Sequence, residues 1–117
     1  MVDIKRIVER QREFFYQDKT KILRFRMEAL NRLEKSIRNH QQDIYRALKK
    51  DLNKSEFESY MTEVGMTLAE LSYVKKHLPL WNQKQWKISP LAQFPSSSFT
   101  LREPYGVVLV MAPWNYP

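Results

Sequence analysis

The apolar run Val107–Met111 is the feature that most limits what this chain can fold into. It contains no polar residue and is rich in valine, which is typical of a strand covered on both faces in a parallel sheet. The rest of the 117 residues offers no neighbouring strand of that kind. We therefore predict a buried-type strand over residues 107–112, in a sheet that this chain does not complete.

Two prolines bracket the residues that follow this run. Pro113 and Pro117 fix their own φ and restrict the residues before them, so we expect residues 114–116 to be extended. Ligands of open α/β sheets bind at the carboxyl ends of strands. The Trp-Asn-Tyr segment is thus a candidate functional site, although without further context such a segment is most often an ordinary turn.

Apolar residues recur at helical spacing through the first half of the chain. The pattern predicts one helix over residues 3–16 with Asp3 as its N-cap. A second, longer helix is expected to begin at Thr20 as N-cap, and a third to end near Asn53.

A fourth helix is predicted over residues 56–78. Ser55 and Glu58 have the spacing of a capping box at its start, and Pro79 is expected to prevent its continuation. Gly65 lies inside it, which indicates close approach of a neighbouring helix. After it, residues 80–95 lose periodicity and predict an irregular strap, and residues 98–103 alternate like a half-exposed strand.

The closing segment Glu103-Pro-Tyr-Gly-Val-Val-Leu-Val-Met-Ala-Pro-Trp-Asn-Tyr-Pro117 resembles the start of the nicotinamide-binding domain of aldehyde dehydrogenases. The similarity extends upstream and covers nearly the whole chain. Its further motifs resemble the class 3, fatty-aldehyde-dehydrogenase-like branch, and they are Thr20-Lys21, Phe25-Arg26, Ala47-Leu48-Lys49-Lys50-Asp51-Leu52 and Phe94-Pro95-Ser96.

This resemblance implies a fold class and a division into domains. The chain is expected to be mostly α, as the N-terminal helical segment of an aldehyde-dehydrogenase-like α/β fold, with about four helices followed by two short β-strands. Residues 1–95 would form the N-terminal helical region with its strap. Residues 96–117 would be the incomplete beginning of the strand region and of the dinucleotide-binding domain, truncated at the start of its sheet.

The resemblance also assigns roles to the last residues. Asn115 matches the family's oxyanion-hole donor, whose amide N–H stabilises the alkoxide formed when a thiolate attacks an aldehyde. Tyr116 would face the aldehyde pocket or pack just behind it. The residues beside the dinucleotide are expected to be Met111, Ala112, Pro113 and Trp114.

The composition limits what the chain can do alone. It contains no cysteine and only two glycines, so it has neither the family's nucleophile nor a Gly-rich phosphate-binding turn. We therefore interpret it as a fragment of a NAD(P)-dependent aldehyde dehydrogenase, which oxidises an aldehyde to a carboxylic acid through a cysteine thiohemiacetal. The fragment itself is expected to be inactive and not to bind NAD or NADP.

Two other functions are considered. One is a basic nucleic-acid-binding helical domain, which the net charge of +7 suggests, but the surplus is spread evenly along the chain and no basic run exceeds two residues. The helices are also consistent with a stand-alone interaction or dimerisation module.

Partners and location follow from the resemblance and from the charged amino terminus. An aldehyde and a nicotinamide dinucleotide are the expected ligands of the parent enzyme, which is expected to be a homo-oligomer, with no nucleic acid as partner. His40 and His77 are too isolated to predict a metal site. The charged first residues exclude a secretory signal and favour the cytoplasm, and a membrane anchor at the family's carboxyl terminus is left open.

Overall fold

Four helices followed by two short strands make up residues 2–117, which are the residues described by the computed structural model. The mostly helical fold class predicted above is thereby confirmed. The helices are α1 (Ile4–Tyr16), α2 (Leu23–Asn39), α3 (Gln41–Leu52) and α4, which covers residues 56–81 in three stretches, Glu56–Ser59, Tyr60–Val64 and Gly65–Trp81. The strands are β1 (Gln85–Lys87) and β2 (Ser98–Thr100), and single 3₁₀ turns occupy Lys19–Lys21 and Leu91–Gln93.

The starts of the first two helices differ in how well they were predicted. The Asp3 carboxylate accepts a hydrogen bond of 3.1 Å from the Arg6 N–H, so this N-cap is confirmed. Thr20 as N-cap of α2 is wrong, because Asp18 adopts a left-handed φ of 59° and a 3₁₀ turn takes up the next three residues. The helix begins only after Ile22, whose side chain provides no cap.

The junction between α3 and α4 is short and closed at both ends. Asn53 ends α3 in the left-handed conformation, with φ of 55°, which terminates a helix while satisfying its last carbonyl groups. Ser55 Oγ accepts a hydrogen bond of 3.1 Å from the Glu58 N–H and so caps α4, as the capping box predicted. Lys54 is therefore held between two fixed residues.

Helix α4 continues past the residue that was expected to end it. Pro79 lies inside the last stretch, which extends to Trp81, so the predicted end at residue 78 is wrong. A proline lacks the N–H of one helical bond, but the following residues still complete the turn, and the Asn82 N–H donates to the Leu78 carbonyl over 3.0 Å.

The core lies where α2, α3 and α4 meet. Its buried members are Tyr45, Val64, Leu68 and Leu71, with Leu30, Ile37 and Ile44 packed against them. Two polar links join α2 to α4 and to Asn82, the residue directly after it. The Arg26 guanidinium donates to the Asn82 side-chain oxygen, and the Lys75 ammonium donates to Glu34 over 2.5 Å.

Acid is expected to weaken the contact between α2 and α4 through Glu34. Hydrogen bonds from Lys75 and Arg38 lower the pKa of this carboxyl group below its usual 4.5. A lowered folded-state pKa contributes stability that is present above the unfolded-state pKa and is lost as the pH falls through the folded-state pKa. In urea unfolding at several pH values below 4.5, Glu34→Gln should therefore lose less stability than the wild type. Glu70→Gln, at an exposed position of α4, is the control, and equal acid sensitivity of Glu34→Gln and the wild type would contradict the assignment.

The strands are not both where the sequence predicted them. β2 realises the first half of the strand expected over 98–103, and it pairs antiparallel with β1, which lies within the predicted irregular strap. The pairing covers three residues of each strand. Residues 107–112 form no strand in the described chain and are largely exposed. The buried-type strand is wrong here because a strand requires a hydrogen-bonded neighbour, and residues 2–117 bring none beside this run.

The overall shape is elongated. The Cα radius of gyration is 19.8 Å, whereas a compact chain of this length has about 13 Å. Much of the apolar surface near β1 and along residues 105–114 consequently lies in solvent. Within residues 2–117, no helix combines the length and apolar character needed to cross a membrane.

Candidate functional site

Asn115 lies in a tight turn. The Tyr116 N–H donates to the Pro113 carbonyl over 3.2 Å, so Trp114 and Asn115 occupy the two central positions. The extended conformation expected for residues 114–116 is therefore wrong. A proline restricts only the residue directly before it, which leaves the central pair unrestricted, and asparagine is favoured in turns.

The turn is held by the ammonium group of Lys54. Lys54 Nζ donates to the Asn115 backbone carbonyl over 3.0 Å and to Glu63 Oε1 over 2.6 Å. The same nitrogen lies 4.1 Å from the centre of the Tyr116 ring, within the range of a cation–π contact. We call these four residues the Lys54 clamp.

Both charged members of the clamp are removed from solvent. The side chain of Lys54 is 8% exposed and that of Glu63 is 13% exposed. A buried charge is tolerated only when it is paired and hydrogen-bonded. The ammonium has three donors, and a carboxylate, a carbonyl and an aromatic face surround it, so the clamp meets this requirement.

Gly65 allows α4 to bring Glu63 to this position. Residues Tyr60–Val64 form a π turn, and the Gly65 N–H donates to the Tyr60 carbonyl. A Cβ at position 65 would lie 2.7 Å from that carbonyl oxygen, so only glycine fits without a shift. The approaching group belongs to the preceding turn of the same helix, and the neighbouring helix predicted from Gly65 is wrong. Single π turns are frequent at functional sites because they change the direction in which side chains point.

Two shallow, mainly apolar grooves flank the turn. Pro117 reaches one of them, whose other lining residues come from α2, α3 and α4 and include Ile37, Leu48 and Val64. The second groove is lined by Leu52, Ala112, Pro113, Trp114 and Asn115. The turn is therefore attached at Lys54, Pro117 reaches the first groove, and Asn115 borders the second.

The predicted cofactor-binding residues form an exposed, irregular segment. Met111 is 84% exposed and Trp114 is 93% exposed, and residues 111–113 adopt no regular secondary structure. Such a segment can offer backbone and apolar contacts to a flat ring system along one side. The assignment of these residues to the dinucleotide site stays a prediction.

Lys54 and Glu63 are the site residues that the sequence reasoning missed. Lys54 and Glu63 are nine positions apart, and 61 positions separate Lys54 from Asn115. No local pattern reports a contact over that distance. The sequence offered one signal for Lys54. It lies between an asparagine that ends a helix and a serine that caps the next one, and these neighbours restrict where its side chain can point.

The whole chain, residues 1–117, matches the model of the aldehyde dehydrogenase family. A solved structure of Staphylococcus aureus AldH in a substrate-bound state superposes with a TM-score of 0.92 and 39% sequence identity, over 100% of this chain and 26% of that one. The fold around the clamp is therefore similar to that of a known family member.

Similar proteins include several aldehyde dehydrogenases of family 3. The chain is 42% identical to 4,4'-diaponeurosporen-aldehyde dehydrogenase of Staphylococcus aureus, over 89% of this chain and 23% of the relative. It is 36% identical to the dimeric NADP-preferring aldehyde dehydrogenase of Canis lupus familiaris, over 100% of this chain and 26% of the relative. The chain thus spans about a quarter of the length of these relatives. By the match over its full length, the chain belongs to the aldehyde dehydrogenase family.

Proposed function

We propose that this chain supplies the oxyanion-binding segment of a NAD(P)-dependent aldehyde dehydrogenase, which oxidises an aldehyde to a carboxylic acid. The observation that carries the proposal is the turn at Asn115. Its backbone is held by Lys54, and among residues 2–117 the hydrogen bond of Asn115 uses the carbonyl oxygen. The side-chain amide is therefore available to a ligand at the edge of an apolar groove.

The chemistry needs a donor of this kind. Attack of a thiolate on an aldehyde converts the carbonyl oxygen into an alkoxide. An amide N–H that is already aimed at that oxygen stabilises the charge as it develops. Asparagine remains uncharged at every physiological pH, so its contribution does not vary with proton concentration.

The remaining parts of the reaction come from outside these residues. The 117 residues contain no cysteine, so the thiolate of the thiohemiacetal belongs to another segment of the enzyme. The bound dinucleotide supplies the hydride acceptor. Within this chain we assign one side of its site to the residues before Asn115, namely Met111, Ala112, Pro113 and Trp114, and we assign Tyr116 to the rear of the aldehyde pocket.

The apolar groove favours an aldehyde with a hydrocarbon body. Its lining is contributed by Leu52, Ala112, Pro113 and Trp114 next to the Asn115 amide, and apolar surface removed from water supports binding of such a chain.

We further propose a homo-oligomeric, cytoplasmic enzyme, in keeping with the relative that is named as dimeric. The comparisons support the enzyme and lend no support to a nucleic-acid-binding domain.

The test is a turnover assay on the full-length enzyme that contains these residues. We expect reduction of NAD or NADP to match the amount of carboxylic acid formed from medium- and long-chain aldehydes, and alkylation of cysteine to abolish it. Absence of turnover with aliphatic and aromatic aldehydes would overturn the proposal. Salt-sensitive binding of duplex or single-stranded nucleic acid, measured by fluorescence titration, would support the rival function instead.

A further inference from the structure

We infer that Lys54 and Glu63 are positioning residues for the oxyanion donor, because their buried ion pair holds the main chain of Asn115 and the ring of Tyr116. This inference rests on the function proposed above. Among the described residues, Lys54 Nζ bonds the backbone carbonyl oxygen of Asn115. It acts through the backbone from which the side-chain amide projects.

The ammonium group of Lys54 restrains Asn115 and the residue that follows it. The bond of 3.0 Å from Lys54 Nζ fixes the Asn115 carbonyl oxygen, and this fixes the rotation of the peptide plane that follows the Asn115 Cα. The ammonium also lies 4.1 Å from the centre of the Tyr116 ring, which restrains the next residue. A side chain on so constrained a Cα has few directions open to it, as a preorganised donor requires.

The two charges of the clamp neutralise each other. Glu63 Oε1 is 2.6 Å from Lys54 Nζ, so the pair brings no net charge to the turn. Its effect is therefore a matter of geometry and not of long-range attraction. Replacing both residues by apolar ones of similar length removes the geometry without changing the net charge.

A purely structural role would make the clamp equivalent to the ion pair of Glu34 and Lys75. That pair also joins two elements, at 2.5 Å, but its side chains are 23% and 24% exposed and its partners lie on α2 and α4 alone. The Lys54 pair is more deeply buried and its third contact reaches the turn of Asn115. Residues 108–114, directly before this turn, are exposed, and the bond from Lys54 attaches the turn to the helices.

The experiment uses the full-length enzyme with the paired substitution Lys54→Met and Glu63→Met. Single-turnover kinetics would measure acylation, and fluorescence titration would measure dinucleotide affinity. Misplacement of a catalytic group by about 1 Å can cost a hundredfold, so we expect acylation to fall about tenfold to a hundredfold. Dinucleotide affinity should be nearly unchanged. The matched control, Lys75→Met with Glu34→Met, should acylate at the wild-type rate.

The same pair of substitutions is then made in an Asn115→Ala enzyme. If Lys54 and Glu63 act only by placing Asn115, the pair has no further effect there, because residues that act as a unit are not additive. An equal loss in both backgrounds, or no loss in either, overturns the inference. An Asn115→Ala enzyme that acylates at the wild-type rate would instead overturn the proposed function.

Hydrogen exchange provides a readout that does not depend on turnover. In the paired variant, peptides covering residues 107–117 should exchange faster than in the wild type, while peptides from α2 should not change. Lys54→Gln with Glu63→Gln serves as a second variant should the apolar pair disturb folding, with the same expected pattern. Unchanged exchange over residues 107–117 in a folded variant would contradict the clamp.

Discussion

Asn115→Ala should lower the acylation rate of the full-length enzyme by about a hundredfold to a thousandfold, the usual cost of losing one oxyanion-hole donor. The amide of Asn115 is a side-chain donor at the edge of the apolar groove of Leu52 and residues 112–115. Its removal leaves the alkoxide with one stabilising hydrogen bond fewer. The substitution changes neither the net charge nor the backbone bond from Lys54.

The decisive comparison is between acylation and dinucleotide binding. Single-turnover measurements should show the full loss in acylation, while the affinity for NAD or NADP should be close to that of the wild type. Asn31→Ala, at an exposed position of α2, is the control and should have no kinetic effect. An acylation rate that Asn115→Ala leaves intact would remove this residue from the mechanism.

Lys54→Met alone should destabilise the protein by about 3–5 kcal/mol, the usual cost of removing one partner of a buried ion pair. The Glu63 side chain is 13% exposed, so its carboxylate would be left in a poorly solvated site with its main partner gone. The turn at Asn115 would lose its hydrogen bond from Lys54 at the same time.

Adding Glu63→Met should recover most of this loss, because an apolar pair of similar volume carries no unpaired buried charge. Urea unfolding at neutral pH measures both variants. Lys75→Met is the comparison within the same chain, and it should cost less because the side chain of its partner Glu34 is 23% exposed and better solvated. A double variant as unstable as Lys54→Met alone would show that burial of the charge is not the cause.

The parts of the fold that depend on nearby residues could be predicted from the sequence. Asp3 and Ser55 each bond a backbone N–H three residues ahead, so the relevant information lies within a single turn. The left-handed Asn53 at the end of α3 is likewise a local feature. These caps and the apolar spacing between them were sufficient to predict the number of helices.

Features that depend on distant partners could not be predicted in this way. The run Val107–Met111 has the composition of a buried strand, but strands are made by neighbours, and residues 2–117 place none beside it. β1 was missed because it is only three residues long and exists through its pairing with β2, which lies further along the chain.

The candidate site shows the same division. Asn115 was found by resemblance over a long motif, since a Trp-Asn-Tyr segment alone has no distinctive chemistry. Its attachment to Lys54 spans 61 positions and required the structure. Gly65 was noticed in the sequence, but its reason lies in the Tyr60 carbonyl of the π turn, which no propensity scale represents.

The π turn of α4 interrupts one continuous helix. The directions of the side chains after the turn are therefore not fixed by those before it. The segment after the π turn presents Leu68 and Leu71 to the core, and the turn itself carries Glu63, whose carboxylate pairs with Lys54. In an uninterrupted α-helix, the direction of Glu63 would be fixed by the directions of Leu68 and Leu71. The π turn therefore separates the direction of the Glu63 side chain from that of the apolar residues that follow Gly65.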